Sequence, residues 1–274
     1  MKKVIIAFDG CNYSEGAFDF ARQMNQQAPI LLTGVFLPQL EYANLWSYAY
    51  SAASPVFVPL TDGDDAENIR KNISRFEKEC LAAKIEYTIH TEFWDFALPE
   101  LRIETRYADL MILGSEKFYA NLGKTDVNSY LQDSLHDAEC PIVVVPEKFT
   151  YPQNAILTYD GTASSLFAIK QFAYLFSDFA DRPVTLIHIN ESAVSKVPDH
   201  NRVEELLQRH FTDLTILDLE MDAKKYFATW ISEKPGTILI CGSFGRSGVS
   251  NLLKRSFVND VISDHNLPVF IAHR

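Results

Sequence analysis

The residues of this chain best placed to do chemistry stand in its second half. Gly242-Ser243-Phe244-Gly245 is followed, after nine residues, by Arg255-Ser256. A glycine-bearing loop between a buried strand and a helix can cradle an anion. Glycine lets the backbone approach closely, and N–H groups at a helix start attract negative charge. Ser243 and Ser256 add hydroxyl donors. Arg255 either reaches a phosphate as a bidentate cation or closes the pocket sterically. Asp160, followed by Gly161, ends another apolar run and suits a ribose hydroxyl or a base amine. The G-x-x-G pattern alone is a weak signal, and the facing Asp-Gly pair strengthens it. The chain has no G-x-S-x-G elbow, no Walker Gly-Lys-Ser/Thr and no recognisable nucleophile–base spacing. No catalytic residue is assigned. Seven histidines without H-x-x-x-H or H-E-x-x-H spacing give no metal site.

The elements that must position these residues occur twice. Val4-Ile5-Ile6-Ala7-Phe8-Asp9-Gly10 is echoed by Ala155-Ile156-Leu157-Thr158-Tyr159-Asp160-Gly161. Leu110–Ser115 is echoed by Ile238–Ser243, and Cys140–Val145 by Leu267–Ala272. Three matches in one order predict two copies of one domain, 1–148 and 153–274, split near Phe149–Gln153, where Pro146 and Pro152 bracket a short connection. In the first copy, strands are expected at Val4–Phe8, Ile30–Phe36, Ile85–Thr91, Leu110–Leu113 and Ile142–Val145. In the second they are expected at Ile156–Tyr159, Val184–Ile189, Leu214–Leu219, Ile238–Cys241 and Val269–Ala272. Apolar positions at i, i+3, i+4, i+7 mark helices after each first strand: Ala17, Phe20, Ala21, Met24, and Ile169, Phe172, Ala173, Phe176. Ser14 can cap the first of these. Further helices are expected at Ala66–Ala83, Leu98–Tyr107 and around Leu131–Ala138, then at Val203–His210, Lys224–Ser232 and Ser256–Ser263. Alternation of continuous apolar strands with helices predicts an α/β fold: two tandem doubly wound, Rossmann-like parallel-sheet sandwiches, pseudo-twofold related. Ligands in such sheets sit beyond the carboxyl ends of the strands, where the Asp-Gly and Gly-Ser pairs both fall.

A formal net charge of -11 argues against a nucleic-acid backbone or an anionic membrane surface as main partner. No run of 18 apolar residues suggests a membrane span, and the short apolar stretch after Met1-Lys2-Lys3 is not a signal-peptide core. Cys11, Cys80, Cys140 and Cys241 form no C-x-x-C pair, and free thiols point to a reducing cytoplasm. Cys11 aligns with Thr162 as a small unreactive residue, and the other three read as core fillers. His188 reads as a hydrogen-bonded core histidine. The stretch Pro38–Asp64, with Tyr42, Trp46, Tyr48, Tyr50 and Phe57, has no counterpart in the second copy. It reads as a loop hiding its own aromatics, with a lid or docking surface as the alternative.

On these residues the chain resembles the universal stress protein family, over nearly its whole length and as two tandem domains. That resemblance implies the adenine-nucleotide alpha-hydrolase-like fold and an ATP or related adenine-nucleotide site. Gly242, Gly245, Ser256 and Asp160 stand at positions matching the family's ATP-binding pattern. Ile189 matches the position whose backbone reads adenine. Arg255 departs from that pattern, where the family has glycine. The first copy departs further: Glu116 and Lys117 follow Gly114-Ser115, and Asn128-Ser129 replace the last pair. Glu116 would put negative charge where phosphates lie, and Asp9 reads as a helix cap. The first copy is therefore expected to serve as a structural partner. The family dimerises through its last strand, so the two terminal strands of this chain are expected to pair internally as a pseudo-dimer. A homodimer of whole chains remains open.

The leading expectation is a stress-response binding and signalling module with one nucleotide site, in the second copy. The alternatives are an interaction module without nucleotide, docking through the aromatic insertion, and a slow nucleotide hydrolase or transferase.

Overall fold

A computed structural model describes residues 1–9, 11–37, 63–91, 97–118, 120, 129–190, 197–220, 223–242, 261–262, 264 and 266–272. The first half runs β1 (Lys2–Phe8), α1 (Glu15–Gln27), β2 (Ile30–Phe36), α2 (Gly63–Ala83), β3 (Glu86–His90), α3 (Ala97–Arg106), β4 (Leu110–Gly114), α4 (Ser129–Asp137) and β5 (Ile142–Val145). The second runs β6 (Asn154–Thr158), α5 (Ala163–Leu175), a 3-10 turn (Ser177–Phe179), β7 (Val184–Asn190), α6 (His200–Leu207), β8 (Leu214–Glu220), α7 (Ala223–Ser232), β9 (Thr237–Gly242) and β10 (Val269–Ala272).

The strands form where apolar residues run without alternation, because both faces of the sheet are covered by helices. Within each half all the pairings are parallel, and the strand order is that of a doubly wound sheet. The halves do not end as separate sheets. β5 pairs antiparallel with β10, with Val144 opposite Val269 and Ile142 opposite Ile271. The result is one ten-stranded sheet, β3-β2-β1-β4-β5-β10-β9-β6-β7-β8. Its order mirrors about the β5–β10 seam, as a pseudo-twofold requires. The terminal strands are thus central and fully buried, and β3 and β8 are the edges. Both edges are narrow risks, because their side chains are largely half-buried or exposed and carry charge.

Two apolar layers sandwich the sheet. One includes Phe20 of α1, Phe76 of α2, Phe172 of α5 and Leu207 of α6. The other includes Leu101 of α3, Leu135 of α4 and Phe227 of α7. Cys80, Cys140 and Cys241 lie buried in these layers, and Cys11 is half-buried. The expected helix at Val203–His210 begins earlier, at His200, after Asp199 turns the chain with a left-handed φ of 46°. Nearly all of Pro38–Asp64, including its aromatics, and most of Ser256–Ser263 lie outside the described residues.

Candidate functional site

β6 pairs with β9 on one side and β7 on the other, so the carboxyl ends of three adjacent strands bring Asp160, Gly161, Ile189 and Gly242 to one end of the sheet. Ser243, Gly245, Arg255 and Ser256 lie outside the described residues.

The turn after β6 is set locally. Asp160 Oδ1 accepts from the Thr162 backbone N–H at 3.0 Å and from its hydroxyl at 2.7 Å. Thr162 is the N-cap of α5, and its Oγ1 accepts from the Ser165 N–H. Gly161 holds a φ of 79°, and a Cβ there would meet Pro198 at 2.8 Å. Only glycine fits both demands. At the end of β9, a Cβ on Gly242 would lie 2.6 Å from Ser165 backbone atoms. The start of α5 therefore packs directly on that strand end. Gly114 plays the same part against Ser14 in the first half. This glycine serves helix packing in both halves, and only its setting makes it a possible cradle.

The equivalent turn in the first half corrects two expectations. The cap of α1 is Ser14, whose Oγ accepts from Ala17 N–H at 3.1 Å. Asp9 does not cap the helix. It orders a longer turn by accepting from the backbone and side-chain N–H groups of Asn12, both at 2.6 Å. Thr162 is thus the counterpart of Ser14, not of Cys11. Glu116, just past β4, joins this turn indirectly. Its carboxylate accepts from the Glu147 backbone N–H at 3.0 Å. The carboxylate of Glu147 sits at the start of α1, accepting from the Ser14 hydroxyl and, at 3.1 Å, from the Glu15 N–H. A helix start favours an anion, and here the chain supplies its own.

Register extends the contrast. Val4 lies opposite Leu32, and its counterpart Ala155 opposite Val184. Leu37 is therefore the counterpart of Ile189, and Phe36 that of His188. In the first half the β1–β2 ladder runs to the strand ends, and Leu37 N–H donates to Phe8 O at 2.9 Å. Phe8 stacks on Tyr13 and Phe36 at 4.7 and 4.9 Å, with Phe76 at the edge, and seals that end. In the second half the last β6–β7 rung is Thr158 with Ile187, closed by Tyr159 N–H to Ile187 O. Ile189 stands two residues beyond it, half-buried, while still paired to Leu219 of β8. The same end carries polar groups where the first half has phenylalanine. His188 is 7% exposed, and its Nδ1 lies 3.1 Å from Asp218 Oδ1 on the neighbouring strand. Sequence reasoning treated His188 alone; the register pairing it with Asp218 was the signal that only strand alignment supplies.

Chemically, this end of the second half offers a carboxylate, a glycine turn, the start of α5 and a strand end whose ladder toward β6 has stopped. Those groups can hold a polar ligand. The Thr162 hydroxyl is hydrogen-bonded to the Asp160 carboxylate here, and the same oxygen caps α5.

No protein-family model matches the chain, and no curated protein matches it. Solved structures do. A universal stress protein from Archaeoglobus fulgidus is 15% identical and superposes with a TM-score of 0.70, covering 100% of this chain and 96% of that one. A functionally unknown protein from Pseudomonas aeruginosa is 12% identical, with a TM-score of 0.56 over 100% of this chain and 92% of that one. Such identities speak for the fold alone. Along its whole length the chain shares the α/β fold of these structures. No described helix is long and apolar enough to cross a membrane.

Proposed function

We propose that this chain is a tandem universal stress protein of the cytoplasm that binds one ATP or related adenine nucleotide in its second half, with 153–274 as the nucleotide domain and 1–148 as its structural partner. Asp160 and Gly161 would face the ribose, the Ile189 backbone the adenine, and Gly242, Ser243, Gly245, Arg255 and Ser256 the phosphates. The observation that carries this reading is the unequal treatment of equivalent positions. The first half spends its helix start on Glu147, its Leu37 amide on the sheet and its strand ends on stacked aromatics. The second half keeps Ile189 past the end of the β6–β7 ladder, beside Asp160 and Gly242.

Binding would rest on backbone donors and helix-end electrostatics. With no general base assigned among the described residues at this end, any hydrolysis is expected to be slow, which suits a sensor better than a metabolic enzyme. The test is thermal: a ligand that binds only the folded chain raises its melting temperature. ATP at about 100 times its dissociation constant should stabilise by about 2.7 kcal/mol. No shift with ATP, ADP or AMP would instead favour an interaction module docking through Pro38–Asp64.

A further inference from the structure

The halves differ at a second place, the outer edges of the sheet. Register carries the correspondence outward. Leu32 pairs with Tyr87 and Val184 with Leu214, so Thr88 matches Thr215, Ile89 matches Ile216 and His90 matches Leu217. In the first half, His90 Nδ1 lies 2.8 Å from Glu104 Oε1, so one flank of α3 meets edge strand β3 through a polar pair. The buried positions Leu101 and Thr105 of α3 match Phe227 and Ile231 of α7, which makes Tyr226 and Trp230 the counterparts of Glu100 and Glu104. The second edge therefore carries leucine, tyrosine and tryptophan where the first carries histidine and two glutamates. Leu217 is 37% exposed and Tyr226 50%. Leu217 lies opposite Ile187, which belongs to the apolar layer under α7, so it stands on the α7 face. Trp230 is half-buried, 5.8 Å from Phe227 between ring centres, with Lys234 Nζ 4.5 Å from its ring.

Strand β8 is also open. Among the described residues it pairs with β7 alone. Val184 N–H donates to Asp213 O, and that phase of the ladder turns the backbone groups of Leu214, Ile216, Asp218 and Glu220 away from β7. Such an edge is a template for another strand. Residues 199–220, which include α6 and β8, hold six carboxylates and two arginines. We propose that β8 and the Tyr226–Trp230 flank of α7 form a docking edge for an extended basic segment of another protein, added to the sheet as a further strand. Alternate side chains of an added strand fall on opposite faces. Those on the α7 face meet Leu217, Tyr226 and Trp230 and are apolar. Those on the other face meet Asp218 and Glu220 and are lysine or arginine. Main-chain hydrogen bonds supply affinity, and the alternation supplies selectivity. The same carboxylates disfavour a second copy of this chain, whose net charge is -11. The first edge, where His90 is paired with Glu104, offers no such apolar strip.

The test uses the full chain without nucleotide, because this docking edge stands apart from the cleft. The probe is a capped peptide alternating lysine with valine, and the control alternates glutamate with valine. The lysine peptide should slow amide exchange at Ile216 and Asp218 severalfold, and added salt should weaken that protection. Leu217→His and Tyr226→Glu give this edge the residues of the first half at two exposed positions, so the fold is kept and the protection should fall severalfold in each. Glu220→Lys should weaken the lysine peptide as well. No protection by the lysine peptide, equal protection by both peptides, or protection unchanged in Leu217→His and Tyr226→Glu would overturn the proposal. Protection of β8 that rises with protein concentration alone would assign the edge to a second copy and overturn it likewise.

Discussion

Gly161 is held by two independent demands, a left-handed φ and the ring of Pro198 at a Cβ's distance. Gly161→Ala should therefore destabilise the chain by about 1–3 kcal/mol, read from urea melts. A change below half a kilocalorie would mean the turn relaxes freely. The thiols make a second prediction. Burial pushes Cys80, Cys140 and Cys241 up to about 12, so at pH 8 they are neutral and enclosed. Cys11 alone is half-buried rather than buried. A thiol reagent should titrate one cysteine in the native chain at pH 8 and four in denaturant. Raising the pH toward 10 should not recruit the buried three without unfolding.

The helices α1 and α5 begin in the same way and end in different company. Ser14 and Thr162 each accept from an N–H three residues on. Replacing either by alanine should cost about 1 kcal/mol. Only Thr162→Ala should also weaken nucleotide binding, because Thr162 holds Asp160 in place. Equal loss of ATP affinity in Ser14→Ala would argue that both halves take part. These helices were legible in the sequence, since their apolar positions repeat at the helical period and their caps are hydroxyl residues. So were the buried strands, whose runs lack alternation. The caps themselves were paired wrongly, because the first turn is three residues longer, and Cys11 took the place that belongs to Ser14. Glu147 was invisible for a different reason. It lies 133 residues from Ser14, and only the β1-β4-β5 adjacency carries it to the start of α1. The Asp218 partner of His188 was hidden likewise, since cross-strand register is not written in local periodicity.

The molecule as a whole is one sheet made by two copies, and its seam is a pair of strands that would otherwise be bare. Val143, Val144, Phe270 and Ile271 are buried there. A half expressed alone would expose such a strand to pairing with another copy. Residues 1–148 on their own are expected to sediment as a dimer, whereas the full chain should not need a partner at that strand. A monomeric, folded first half would show that the seam is dispensable. The pseudo-twofold also explains how the halves could diverge. Once the seam and its aromatic packing hold them together, one half can close its strand ends with Phe8, Phe36 and Glu147 without affecting the other.

The unequal fate of the two strand ends is tested most directly by counting ligand. ATP titrated into the purified chain by calorimetry, after stripping any nucleotide released on denaturation, should bind at about one per chain. Gly245→Val should abolish the heat, and a bulky change at Lys117 should leave it intact. Two sites per chain, no binding at all, or loss on changing Lys117 alone would contradict a single site in the second half.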